Sequence, residues 1–140
     1  MLGNTKKGLR MIGVLAEHSG VFLRVVAVMT ALLFSIPISL APLAWARTLR
    51  WDVDSNPNLA LYFGRCLGAV ALVLSWAGWN AAERAELQPF YFQMLIGVTV
   101  LMVIVHVVGA LQRVQPWIET AEIVFWTALA VLALLFYPLS

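Results

Sequence analysis

Charge is scarce in this chain. Asp, Glu, Lys and Arg together make up 11% of its 140 residues, against about 25% in an average soluble domain. With 62% hydrophobic residues and a mean hydropathy of +0.89, that shortage excludes a soluble globule and a disordered tail. The pI is near 9.0, but the net charge is only +2, too little for a nucleic-acid binder. A single cysteine, Cys66, excludes a disulfide framework within the chain and any cysteine-rich metal or iron–sulfur site. The motifs of soluble enzymes are also missing: there is no G-x-x-x-x-G-K-[ST], no G-x-S-x-G and no H-E-x-x-H. The chain reads as an integral membrane protein and not as an enzyme.

What it does have is four long apolar runs. A bilayer core of about 30 Å needs roughly 20 helical residues to cross it. Val25 to Ala46 carries no charge, Pro57 to Ala82 carries only Arg65, Leu87 to Gln112 carries none, and Pro116 to Tyr137 carries Glu119 and Glu122. Backbone polar groups in a bilayer must be bonded within the segment, and the alternation of a barrel strand is absent, so the runs are expected to be helices. Asn56-Pro57, Gln88-Pro89 and Gln115-Pro116 put proline where a first helical turn tolerates a missing N–H. The expected helices are 21–46, 57–82, 88–112 and 116–137. Their short links make sequential helices antiparallel neighbours. The predicted fold is all-α, one transmembrane domain built as a four-helix up-and-down bundle. Pro37 and Pro42 should kink the first helix, because each removes a backbone hydrogen bond.

Residues 1–20 are basic with a modest apolar stripe and read as a leader or as an interfacial helix. Ala44-Trp45-Ala46 has the form of a signal cleavage site, but the apolar run before it is too long for a signal peptide. Trp45, Trp51, Tyr62 and Trp117 mark one interface; Trp76, Trp79, Tyr91 and Tyr137 mark the other. Lys6, Lys7, Arg10, Arg24 and Arg84 outnumber Arg47, Arg50, Arg65 and Arg113, which places both termini on the cytoplasmic side. The Ala-, Val-, Leu- and Arg-rich, Lys-poor composition points to a bacterial inner membrane. Tyr62-Phe63 precedes Gly68 with the same offset by which Tyr91-Phe92 precedes Gly97, an echo consistent with two related hairpins.

Ionisable groups inside a membrane are costly and invite a functional hypothesis. At a rise of 1.5 Å per residue, Arg65 lies about 12 Å along its helix from Pro57, and Glu119 and Glu122 lie about 5 and 9 Å from Pro116. His106 lies about 9 Å before Gln112. All four therefore share one layer, which Arg113 caps. Thr99, His106 and Arg113 share a face of helix three; Glu119, Glu122 and Trp126 share one of helix four. This intramembrane polar cluster reads as an ion-pair group, a ligand contact or a proton relay. No metal site is assigned: the only other histidine, His18, lies on the opposite side, and Glu119-x-x-Glu122 lacks the Glu-x-x-His of di-metal bundles. Cys66 reads as an inert core thiol. Gly64-x-x-x-Gly68 permits close helix approach, with Gly97, Gly109 and Ala110 of helix three as the expected facing residues.

Phe63-Gly64-Arg65 with Gly68, a polar link carrying Pro89 and Tyr91, and a histidine late in helix three resemble two groups. One is the small four-helix bacterial membrane proteins called DoxX-like. The other is the four-helix membrane scaffold of ergosterol biosynthesis, which carries F-G-R-x-x-G. The resemblance implies a non-catalytic bundle that holds other membrane proteins together. The first expectation is thus an accessory or scaffold subunit of a larger membrane complex, with the bilayer and other integral membrane subunits as partners and no required cofactor. The alternative is a binding module for a lipophilic molecule such as a quinone, sterol or pigment. A third reading is a membrane subunit of an oxidoreductase, or a small proton-coupled transporter.

Overall fold

A computed structural model describes residues 12–139, and among these every regular element is helical. The helices are α1 (Ser19–Thr30), α2 (Ile36–Leu40), α3 (Pro42–Thr48), α4 (Asn58–Glu83), α5 (Gln88–Gln112) and α6 (Trp117–Leu135). Short 3-10 turns at Ala16–His18 and Ala85–Leu87 lead into α1 and α5. Four spans are long and apolar enough to cross a membrane: Ala16–Leu40, Asn58–Glu83, Ala85–Gln112 and Trp117–Leu135. The first begins several residues before the expected start at 21. The basic leader lies outside the described residues up to position 11.

Both prolines of the first span leave a mark. A π-helical turn, Ala31–Ser35, separates α1 from α2. Ile36 N–H reaches back five residues to the Ala31 carbonyl, and Ser35 Oγ donates 3.1 Å to the Thr30 carbonyl. Pro37 follows directly, where its missing N–H and its ring forbid a regular α turn. The chain then breaks at Ala41 (φ −138°, ψ 59°), and Pro42 starts α3 in the first turn, where proline fits. The expected kinks are thus one wide turn and one true break.

The first span and α4 form one hairpin, held by small residues. Gly68, Ala71, Ser75, Gly78, Ala81 and Ala82 are the buried positions of α4. Small side chains let two helix backbones approach closely, which matters in a membrane because lipid tails are as apolar as leucine. A Cβ on Gly64 would sit 2.5 Å from Pro42 Cβ. On Gly68 it would meet Ser39 Oγ and lie 2.6 Å from the Ser39 backbone nitrogen. The pair therefore packs within the chain, but against α2 and α3, not against helix three as expected. Gly97 has nothing within 4 Å of an added Cβ, and the space at Gly109 is filled by the Gln115 side chain. Gly68→Val is expected to cost about 1–3 kcal/mol through overpacking against fixed backbone, and Gly97→Val much less. Thermal unfolding of both variants in detergent checks the contrast.

α5 and α6 form the second hairpin, antiparallel across the Arg113–Pro116 link. The hydrophobic packing between the two hairpins gathers at one end. There Phe22 stacks on Phe92 (5.7 Å) and on Phe136 (4.7 Å), and Phe92 meets Tyr137 edge-on (5.9 Å). Tyr91 Oη donates 2.9 Å to the Leu74 carbonyl, and its ring fills the space beside Gly78. Gly13 and Leu15 donate to the carbonyls of Leu134 and Leu135, and Ser19 Oγ donates to that of Phe136. The main core gathers at this end: Leu23, Ala81, Ala82, Tyr91, Phe92 and Ala133. Beyond Thr99, the only buried residue of α5 is His106. The Tyr-Phe echo is not a structural repeat, since Tyr62 and Phe63 are exposed where Tyr91 and Phe92 are buried.

Candidate functional site

The far end of the second hairpin carries the polar cluster. Phe92, Thr99 and His106 are seven residues apart and buried along one seam of α5, the spacing that keeps one helix face on its neighbour. The facing residues of α6 start with Glu119, Glu122 and Trp126 at intervals of three and four. His106 is 4% exposed. Its Nδ1 lies 2.7 Å from the Met102 carbonyl, and its Nε2 lies 3.1 Å from Glu119 Oε2 and 3.5 Å from Glu122 Oε2.

Each carboxylate has an indole partner. Trp51 Nε1 donates 2.7 Å to Glu119 Oε1. Trp126 Nε1 donates 3.3 Å to Glu122 Oε2. The Gln115 amide donates 3.0 Å to the His106 carbonyl and 3.1 Å to Thr120 Oγ1, tying the link to both helices. Trp51 comes from outside the hairpin. α3 ends with Arg50 in the left-handed region (φ 66°), with Arg50 N–H bonded to the Arg47 carbonyl and Trp51 N–H to that of Ala46. α5 ends the same way at Arg113 (φ 57°), with Val114 N–H bonded to the Gly109 carbonyl. This is the two-bond C-terminal cap usually built on glycine, here built twice on arginine. The first of these turns sends Trp51 across to α6.

The structure thus brings together His106, Glu119 and Glu122, three of the five residues expected in the layer. It does not bring in Arg65 or Arg113. Arg65 is exposed, and no ion pair among the described residues includes it. The reason is rotational: Gly64 and Gly68 fix which face of α4 meets the first span, and Arg65 is turned about 100° from Gly64. Cys66 lies a further 100° round and is exposed, not a core thiol. Arg113 is exposed because it is the cap residue itself. Trp51 is the member that periodicity does not reveal, because a loop aims it. Its side of the molecule is legible from the interface aromatics; its contact is not.

The hydrogen bonds define the chemistry. A carbonyl oxygen only accepts, so Nδ1 carries a proton and donates it to Met102. Nε2 therefore either bears a lone pair or a second proton, and it faces two carboxylate oxygens. A lone pair against two anions is repulsive, so the centre of the cluster holds either a proton, on Nε2 or on a carboxyl that donates to it, or a cation. Ligand atoms of His106, Glu119 and Glu122 all lie within 4.8 Å of one another. Such a set can hold a proton or a metal ion. Cys66, the lone thiol, lies on α4 and joins none of these contacts. The chain matches no protein-family model, no curated protein and no solved structure.

Proposed function

We propose that this is a multi-pass protein of the bacterial inner membrane, with both termini cytoplasmic, that serves as a non-catalytic subunit packing against other integral membrane proteins. The observation that carries the reading is the breadth of apolar surface that the spans leave exposed. Only 6% of the most apolar 18-residue stretch of α6 is buried, and the corresponding stretches of the other spans are at most 22% buried. Along α5 beyond Thr99, Val100, Leu101, Ile104, Val105, Val107, Val108 and Leu111 are all exposed. Apolar faces this broad suit neighbouring helices as packing partners.

The links support the same reading. Spans two and three are joined by a single 3-10 turn, and spans three and four by the Arg113–Pro116 segment. Neither offers an extramembrane surface for catalysis. Native mass spectrometry after gentle extraction from the source membrane tests the proposal. The expected result is a fixed-stoichiometry assembly with other membrane subunits. A lone chain overturns it, and a lone chain carrying one defined lipophilic mass replaces it with a binding module.

A further inference from the structure

We propose that His106, Glu119 and Glu122 bind one divalent first-row transition-metal cation, with zinc the best fit. The donor set is one imidazole nitrogen and two carboxylates, ligands that suit Zn²⁺ and its neighbours, whereas an all-oxygen set would favour Mg²⁺ or Ca²⁺. Zinc binds such ligands at about 2.0–2.2 Å. The 3.1 and 3.5 Å separations are those of neighbouring ligands around one such ion.

The surroundings are those of a metal site. The Nδ1–H bond to the Met102 carbonyl fixes the tautomer that presents the Nε2 lone pair to the cluster, the orienting contact that metal-bound histidines make. The Trp51 and Trp126 indoles hold the two carboxylates in the same way. The charge also balances, because two carboxylates and a neutral imidazole sum to −2. A proton is the rival occupant, on Nε2 or on a carboxyl that donates to it, but a single N–H or O–H joins two of the three groups, whereas an ion engages all three ligands at once. The His106 and Glu119 side chains are 5% and 14% exposed, and that of Glu122 is 30% exposed. Glu122 is thus the open edge, where a fourth ligand such as water can enter. The start of α6 lies beside the Arg113–Pro116 link, so an ion reaches the site from the nearer surface.

This site stands apart from the packing role proposed above and is tested separately. Untagged full-length chain in lipid nanodiscs is stripped with a chelator and titrated with Co²⁺. The expected result is one Co²⁺ per chain, read from its visible d–d absorption and displaced by Zn²⁺. Glu119→Gln, Glu122→Gln and His106→Asn should each weaken binding by at least about 100-fold, and Trp51→Phe by about 10-fold. Zn²⁺ should also raise the melting temperature of the parent chain but not that of Glu122→Gln. Glu122→Gln carries the test if His106→Asn does not fold, because it is isosteric, partly exposed and keeps an acceptor for Trp126. Absence of stoichiometric Co²⁺ binding by the parent chain overturns the proposal and leaves a proton in the cluster, as does binding that Glu119→Gln and Glu122→Gln leave unchanged.

Discussion

Replacing His106 with leucine is expected to destabilise the chain by about 3–5 kcal/mol, the cost of removing one partner from a buried charge group. The imidazole is the one side chain that touches both Glu119 and Glu122. Without it, two carboxylates face each other within 4.8 Å. At an effective dielectric of about 20, two like charges at that distance repel by about 3 kcal/mol. The indoles of Trp51 and Trp126 remain as donors, but each reaches one carboxylate alone. Solvent at the open edge beside Glu122 lowers the cost towards the bottom of the range.

The compensating variant separates charge from packing. His106→Leu combined with Glu119→Gln and Glu122→Gln removes the repulsion while keeping side-chain volumes nearly constant. It should recover most of the loss, because two neutral amides no longer repel each other and each still accepts from its indole. Denaturant titration in mixed micelles, followed by circular dichroism, checks both. A loss below about 1 kcal/mol in the single variant would show that the two carboxylates do not depend on the imidazole.

Much of this was legible in the sequence, for physical reasons that also mark its limit. Bilayer-length apolar runs revealed the four spans, because a helix has a fixed rise and a membrane a fixed thickness. Depth arithmetic placed His106, Glu119 and Glu122 in one layer, and the structure joins them. The same arithmetic placed Arg65 there and failed, because depth says nothing about rotation around the helix axis. That rotation is set by Gly64 and Gly68 packing on Pro42 and Ser39. A small-residue motif announces a close approach without naming its partner, so Gly97 and Gly109 were wrongly paired with it. Trp51 was not legible as a site residue at all. Its position depends on Arg50 in a left-handed conformation, which no hydrophobic period encodes and which glycine would have signalled.

The other large effect is expected at the opposite end of the molecule. Phe92→Ala should cost about 3 kcal/mol, the lower end of the range for deleting a buried phenylalanine. Phe92 is fully buried, stacked on Phe22 of α1 and edge-on to Tyr137 beyond α6. In water, part of such a loss is the transfer of apolar surface. Between membrane helices that part is small, since lipid tails are as apolar as the side chain, and what remains is lost packing around a cavity. The consequence is larger than the figure suggests, because this aromatic group is where three of the four spans meet. Loosening it should let the hairpins separate, seen as faster proteolysis of the link at Arg84–Leu87. Phe90 supplies the control: it is two residues away and 66% exposed, so Phe90→Ala should change stability by less than about 0.5 kcal/mol. Equal losses at both positions would mean that the aromatics act by anchoring α5 in the bilayer. A loss confined to Phe92 means that the apolar packing between the hairpins is concentrated at this end, while the Trp51–Glu119 hydrogen bond links them at the other.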